Sequence, residues 1–260
     1  MLSQVTRHGW VYAVRGVAAI IFGIAALVWP GPTLSVLVYM FGAFAFVDGI
    51  TLLASLAQGG ALARRHAWAT GSEALLAFIL SCVLGAATAA ILSSSVLAFE
   101  TFYPNLVVFQ IIPKIALAPL FTFWLGIAAT SRLSYSIFIS FFPVALSTMT
   151  GLARTDASAL LLCRALGASR WQTFFAVRVP YALPYFFSGA KVAATMSIIG
   201  IVIGEFISAN EGLGYYILRA QSYGQTATIF AALVVLCALG LLLYVLPVQL
   251  ERMMRRWWRE

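Results

Sequence analysis

The feature that most constrains this chain is a succession of apolar runs, most of them about the length of a membrane-spanning helix. The runs cover residues 11–29, 33–56, 67–97, 105–127, 133–152, 185–208 and 226–250. A helix needs about 20 such residues to cross a hydrocarbon core of roughly 30 Å. The chain is 62% hydrophobic and only 9% charged, so a soluble domain is excluded. The sequence predicts an all-α, polytopic transmembrane helical bundle of six or seven apolar segments.

The basic residues cluster at the ends of these runs. Fourteen Arg and two Lys against eight acidic residues give a net charge of +8. Membrane topology explains this excess better than nucleic acid does, because Lys and Arg concentrate on the cytoplasmic side. Residues 154–178 and the tail after residue 250 each hold four Arg, which predicts that both are cytoplasmic. Counting back puts Arg64 and Arg65 outside, so the side of the N-terminus stays open.

The stretch between the fifth and sixth runs, RTDASALLLCRALGASRWQTFFAVRVPYALP, is too apolar for a solvated loop. Thr155 or Asp156 can cap a helix that runs to about residue 166, and Gly167 fits the left-handed position that ends helices. Ser169 can cap a second short helix, which should finish before Pro180. Something is expected to cover the apolar side chains, either the membrane domain or a partner. They are Leu160, Leu161, Leu162, Cys163, Leu166, Trp171, Phe174 and Phe175.

A motif in this stretch resembles the signature of ABC importer permeases. Nine residues separate Gly167 from Val177-x-Val179-Pro180, as in the later part of that signature: EAA, three residues, Gly, nine residues, Ile-x-Leu-Pro. Residues 110–126, 141–152, 166–195 and 204–217 resemble, in order, the permeases of the nitrate/sulfonate/taurine type. That group also includes transporters for thiamine-pyrimidine precursors. The resemblance covers about residues 67–258.

The resemblance implies a two-helix cytoplasmic coupling loop at residues 153–180, seated in a groove on a separate ATPase subunit. The contact residues implied are Leu160, Leu161, Cys163, Arg164, Leu166, Gly167, Ala168, Arg170, Val177 and Pro180. The Glu-Ala-Ala of the signature falls on Leu161, Leu162 and Cys163, so the family's acid is absent. The resemblance also implies a periplasmic or lipid-anchored substrate-binding protein, a second copy of the chain, and a bacterial inner membrane with its lipid. The implied solute is small and anionic, or a thiamine-pyrimidine precursor.

Two groups of residues are candidates for the path and its outer mouth. The path or gate candidates are Glu205, Lys114, Pro113, Pro119 and Gly204, and the candidates for docking the binding protein are Asn210, Gly212 and Gly214. An intramembrane carboxylate is costly and is by default a functional candidate. Glu205 could also pair with a basic residue such as Arg219 or bind a helix terminus. Lys114 has a structural alternative, and Lys191 is expected to snorkel towards the cytoplasm.

The chain offers no ATP site of its own by sequence. Its lysines, Lys114 and Lys191, do not follow a glycine-rich loop, so ATP and Mg are expected on the partner ATPase. The two His and two Asp residues are scattered, with neither metal-ligand spacing nor a catalytic triad. The sequence therefore predicts a transport subunit rather than an enzyme.

The N-terminal region has a different character. Residues 15–50, RGVAAIIFGIAALVWPGPTLSVLVYMFGAFAFVDGI, resemble membrane proteins of the acid-resistance HdeD type. The predicted organisation is an HdeD-like hydrophobic hairpin over residues 1–57, a linker over 58–66 and a permease domain over 67–260. The alternatives are a non-transporting, stress-associated membrane protein and an ion-coupled carrier. The carrier should carry paired carboxylates in repeats, and the sequence has none.

Overall fold

The computed structural model describes residues 61–208 and 210–257, together with Ser35, Val36 and Tyr39. The hairpin expected over residues 1–57 lies outside the described residues. The chain divides into two compact units, Met1–Leu52 and Leu53–Glu260. All the helices numbered here belong to the second unit.

Every regular element described in this unit is helical, which confirms the all-α prediction. The long helices are α1 (Ala61–Leu92), α2 (Val96–Ile111), α4 (Ala129–Ala153), α7 (Val179–Ser208) and α9 (Thr226–Trp257). The short ones are α3 (Ala118–Leu125), α5 (Ala157–Ala165), α6 (Arg170–Thr173) and α8 (Leu213–Ser222). A 3-10 turn, Lys114–Leu117, precedes α3, and a π-helical turn, Phe174–Arg178, joins α6 to α7.

Four helical stretches of the described residues are long and apolar enough to cross a membrane. They are Arg65–Leu92, Ala129–Ala153, Arg170–Ser208 and Thr228–Met254. The pair Val96–Ile111 and Lys114–Leu125 passes the same test together but is bent by 85°, so it is a broken span or a re-entrant loop. The 39 residues of Arg170–Ser208 extend about 58 Å at 1.5 Å per residue, roughly twice the hydrocarbon core. Part of this stretch must therefore lie outside the bilayer.

The gap between the apolar runs 67–97 and 105–127 predicts a polar break at Glu100 and Pro104, which is wrong because both residues lie inside α2. The chain turns earlier, over residues 93–95. Pro104 removes one backbone donor, yet the helix continues for a further seven residues, to Ile111. Nearby, the Asn105 side chain donates to the Thr101 carbonyl at 2.7 Å. Polar residues alone were therefore a poor guide to this boundary.

The centre of the bundle is the crossing of α4 and α7, which approach through small residues. A Cβ added at Gly200 would lie 2.7 Å from Ser136 Cα, and one at Gly189 would lie 2.5 Å from the Pro143 carbonyl oxygen. The Ser136 hydroxyl donates to the Ser197 carbonyl at 2.7 Å. Small residues and interhelical hydrogen bonds are what holds helices together in lipid. The main apolar core comprises Ala74, Phe78, Val144, Ala190, Ala193, Ala194, Ile198, Ile201 and Leu243.

Candidate functional site

The segment of residues 153–180 is built as two short helices with defined starts. The Asp156 side chain accepts from the Ser158 N–H at 3.1 Å and caps α5. Ser169 and Gln172 form a reciprocal capping box at α6. Capping side chains satisfy the free N–H groups of a first turn and define where the helix begins. The predicted starts of both helices are therefore found where the polar side chains allow them.

The turn between the two helices depends on Gly167, which has a φ of 73°. Its N–H donates to the Arg164 carbonyl at 3.1 Å, and the Ala168 N–H donates to the Cys163 carbonyl at 2.9 Å. These two bonds form a Schellman motif, which needs a left-handed residue at this position. A Cβ at Gly167 would meet no atom within 4 Å. The glycine is thus required by backbone conformation and not by crowding within this chain.

The expected helix end before Pro180 is wrong, because helix runs without interruption from Arg170 to Ser208. The Val179 N–H donates to the Phe174 carbonyl, five residues back, within the π-helical turn. Pro180 has no N–H to donate, so the α-helical hydrogen bond to the carbonyl four residues back is missing at this point. A π-helical turn, and not a helix end, precedes the proline.

Five large apolar side chains of this segment are exposed, so the described membrane helices do not cover them. Leu161, Leu162, Leu166, Trp171 and Phe175 are between 61% and 77% exposed. The rings of Trp171 and Phe175 stack with centroids 5.9 Å apart. Arg164 and Arg170 are exposed beside them. Leu160, Cys163, Ala168, Val177 and Pro180 are half-buried. An apolar surface of this kind, with basic residues beside it, is typical of a protein contact.

At the other end of α7, Glu205 is only 2% exposed. Its two carboxylate oxygens accept hydrogen bonds from the Thr70 hydroxyl of α1 and from the Gly214 N–H of α8, each at 2.6 Å. Thr70 in turn accepts from the Leu213 N–H at 2.8 Å. Glu205 therefore binds a helix terminus, one of the alternatives left open by the sequence. No ion pair with Arg219 is found among the described residues.

Together these contacts hold the first turn of α8, and we call them the Glu205 network. It comprises the side chains of His66, Thr70 and Glu205 and the N–H groups of residues 212–214. The Gly212 N–H donates to His66 Nδ1 at 3.0 Å, which requires that nitrogen to be unprotonated. Three successive donors of a helix start are thus satisfied by three side chains from α1 and α7. A negative charge is favourable at this position because of the helix dipole.

A buried ion pair lies next to the network. Arg132 of α4 donates from Nε and Nη2 to the two carboxylate oxygens of Glu73 of α1, at 3.1 and 2.6 Å. Gly204 packs on Arg132, whose Cβ would lie 3.0 Å from an added glycine Cβ. A two-point Arg–carboxylate pair has defined geometry and is costly to break by removing one partner when it is buried. This close approach of α4 and α7 therefore explains why a glycine occupies position 204.

The other path candidates lie around the bend between α2 and α3. Pro113 directly precedes the 3-10 turn, and Pro119 lies in the first turn of α3. Lys114 donates to the Gln110 carbonyl at 3.0 Å and lies 5.2 Å from the Phe142 ring centroid. Glu205 bonds to Thr70 and Gly214, whereas Lys114 contacts Gln110 and Phe142, so these two path candidates share no contact residue. Asn210 is exposed in the loop before α8.

Sequence reasoning missed His66 and Thr70. Thr70 is 135 positions from Glu205, and neither residue stands out within the start of an apolar run. The available signal was a polar residue near one end of each of two apolar runs, and the two residues meet only when the helices pack together. No group of three or more His, Cys, Asp or Glu side chains that could hold a metal occurs among the described residues.

Comparison with known proteins decides the family. The sequence profile described as "Binding-protein-dependent transport system inner membrane component" matches residues 81–256. The chain belongs to this family. The permease also matches a "Short repeat of unknown function" over residues 14–90, in agreement with the HdeD-type resemblance near the N-terminus. The two matches overlap within α1.

Curated relatives support the same assignment. The permease is 33% identical to the formylaminopyrimidine transport permease protein ThiX of Halalkalibacterium halodurans, over 74% of this chain and 77% of that protein. It is 36% identical to a probable ABC transporter permease protein of Haemophilus influenzae, over 69% and 74%. It is 28% identical to the putative aliphatic sulfonates transport permease protein SsuC of Bacillus subtilis, over 71% and 67%. The resemblance to ABC importer permeases is confirmed, and this reading replaces the non-transporting alternative.

The fold has a counterpart among solved structures. A chain of the MetNI methionine ABC transporter, in an inward-facing conformation, matches with a TM-score of 0.65 at 20% identity. The match covers 75% of this chain and 96% of that chain. At this identity the likeness concerns the fold alone, and it confirms the all-α transmembrane bundle.

Proposed function

We propose that this permease forms the path for a small solute and binds a separate ATPase subunit through its 153–180 segment. The observation that carries the proposal is the exposure of Leu161, Leu162, Leu166, Trp171 and Phe175 on a segment whose helix starts and turn are fully specified. Burying such side chains contributes roughly 1.5–3 kcal/mol each. Without an acid at Leu161, binding rests on these apolar contacts and on the arginines beside them.

In this proposal the 153–180 segment and the C-terminus face the cytoplasm, and ATP and Mg are bound by the partner. The chain itself is not an enzyme. Its two lysines serve other contacts: Lys191 pairs with Glu251 at 2.5 Å, and Lys114 lies against the Phe142 ring. Closure of the ATPase subunits would move the 153–180 segment and, through it, α7.

The test is Gly167→Val in the assembled complex, with Gly224→Val as the matched control. Both glycines have a positive φ, 73° and 65°, and a Cβ at either one meets no atom within 4 Å. Both substitutions therefore impose a similar backbone strain, of about 1–3 kcal/mol. We expect Gly167→Val alone to abolish retention of the ATPase subunit and solute-stimulated ATP hydrolysis. Equal behaviour of the two variants would contradict the proposal.

A second copy of the chain is proposed to pack on the bent pair α2–α3. In a single chain no residue of α2 is buried, and Phe123 and Trp124 of α3 are 82% and 69% exposed. An irregular backbone such as that at Pro113 is tolerated at membrane depth where protein or a wet path covers it. Lipid is expected to cover the remaining apolar surface. The Phe123→Cys variant tests this, because a disulfide should form between the two copies. Trp68→Cys, at a side chain that is 74% exposed, is the control and should form none.

The solute is proposed to be a thiamine-pyrimidine precursor or a sulfonate-like or nitrate-like anion. The pyrimidine relative is 33% identical over 74% of this chain, whereas two sulfonate relatives are 28% and 31% identical over 71% and 56% of it, which favours the first. A substrate-binding protein, periplasmic or lipid-anchored, would deliver it at the Asn210–Gly214 loop. Uptake of labelled formylaminopyrimidine, with taurine as competitor, distinguishes the two classes. Uptake that taurine abolishes would favour the anion.

A further inference from the structure

The Arg178 side chain connects two helices that are far apart in sequence. It closes the π-helical turn Phe174–Arg178, just before α7. Its Nη1 donates to the Ser93 carbonyl at 3.2 Å, and its Nη2 donates to the Leu152 carbonyl at 3.4 Å. Ser93 directly follows α1, and Leu152 lies in the last turn of α4. One guanidinium thus reaches the ends of two membrane helices.

These carbonyls are suited to a cation. The last four carbonyls of a helix have no partner within it and carry the negative end of the helix dipole. The Leu152 carbonyl also accepts from the Thr155 hydroxyl at 3.0 Å. Of the two helices, α4 is already linked to the 153–180 segment through the chain. The helix α1 has no such link, so the contact with Ser93, 85 positions away, is a polar tie between them.

Two atoms at this contact are left without partners. Among the described residues, the buried side-chain nitrogen and oxygen atoms that make no hydrogen bond are Arg178 Nε and Ser93 Oγ. One is a donor and the other can accept, and both belong to residues that are already joined. A buried polar atom without a partner is costly and calls for a physical explanation. A contact that exists in two positions explains both atoms at once.

We propose that Arg178 is a positioning residue that carries movement of the 153–180 segment to the end of α1. In this structure it holds the Ser93 carbonyl. When the segment moves, the guanidinium shifts so that Nε donates to the Ser93 hydroxyl. Such a two-position element, biased by the partner at one end, is the physical basis that coupling between distant sites requires. The inference rests on the proposed binding of an ATPase to this segment.

The contact between Arg178 and Ser93 can be tested by amide hydrogen exchange in the complete complex. Exchange is measured by mass spectrometry with and without ATP and vanadate. In the unmodified protein we expect nucleotide to change exchange both in residues 153–180 and in residues 86–95. In Arg178→Gln the first change should persist and the second should be lost. Exchange at residues 86–95 without nucleotide should rise about tenfold, because a hydrogen bond to a charged group is lost. Arg178→Lys, which can reach a single carbonyl well, should be intermediate.

Ser93→Ala separates the two positions, since it keeps the carbonyl bond and removes the hydroxyl. We expect exchange without nucleotide to stay unchanged and the nucleotide response at residues 86–95 to weaken. This variant and Arg178→Lys also keep the test decisive if Arg178→Gln does not assemble. A full response at residues 86–95 in all assembled variants would overturn the tie. A lack of nucleotide response at residues 153–180 in the unmodified complex would instead overturn the proposed ATPase contact.

Discussion

Replacing Gly212 by Ala tests how firmly the Glu205 network holds the start of α8. Gly212 has φ 105° and ψ 166°, a conformation that only glycine adopts readily. An added Cβ would overlap Oε1 of Glu205, so the carboxylate would have to withdraw. Gly126 provides a matched control, since it has φ 79° and ψ 178°. A Cβ at Gly126 would meet no atom within 4 Å.

The expected loss of folding free energy has two components, backbone strain and lost hydrogen bonds. Backbone strain of about 1–3 kcal/mol is common to Gly126→Ala and Gly212→Ala. Withdrawal of Glu205 also removes its bonds to Thr70 and to Gly214, each worth about 1.5–3 kcal/mol because the acceptor is charged. Gly212→Ala should therefore lower the free energy of unfolding by at least about 3 kcal/mol more than Gly126→Ala does.

Reversible unfolding in mixed micelles by added sodium dodecyl sulfate measures this difference without reference to transport. A double-mutant cycle identifies its cause. In a Glu205→Ala background the overlap is absent, so Gly212→Ala should cost no more than Gly126→Ala. Equal costs of the two glycine variants in the unmodified background would refute the reasoning. So would a difference that persists without the Glu205 carboxylate.

Three further predictions concern single contacts. Thr70→Val leaves the buried N–H of Leu213 and the buried carboxylate of Glu205 without a partner, so it should lower the free energy of unfolding by about 2–4 kcal/mol in the same assay. The control Thr195→Val removes an exposed hydrogen bond within one helix and should lower it by only a few tenths of a kcal/mol. Ser169→Ala should destabilise α6 by about 1 kcal/mol through loss of its cap. Faster hydrogen exchange in residues 169–175 would show it, and unchanged exchange there would contradict it. Pro180→Ala supplies an N–H and should convert the π-helical turn to α, rotating Trp171 by about 100° relative to α7; loss of the ATPase subunit on purification should follow, while Pro184→Ala, inside α7, should retain it.

The parts of the fold that sequence predicted are those set by local physics. Apolar runs located the spans, and the side chains of Asp156 and Ser169 and the left-handed Gly167 located the two short helices between them. The prolines were harder, because a helix can continue through Pro104 and a π-helical turn can precede Pro180. A proline removes one donor, and whether that ends a helix depends on packing elsewhere.

The Glu205 network could be predicted only in part for a related reason. An isolated carboxylate near the end of an apolar run indicated a buried role for Glu205. Its partners could not be predicted, since Thr70 is 135 positions away and the three acceptors of the network bind backbone N–H groups, which any residue except proline provides. Arg178 was assigned to cytoplasmic charge, and its link to Ser93 likewise depends on how α1 packs.

The two ends of α7 differ in how firmly hydrogen bonds hold them to the neighbouring helices. At the Glu205 end, three side chains hold three backbone donors at 2.6–3.0 Å, so movement there must carry α8 and α1 with it. At the Arg178 end the bonds are 3.2 and 3.4 Å, an Nε donor is unused, and a π-helical turn interrupts the α register. Since the helical residues 179–204 connect Arg178 to Glu205, displacement of the 153–180 segment should be taken up first at the Arg178 contact. Only a larger displacement would strain the Glu205 network, so the Glu205 end should move after the Arg178 contact has shifted.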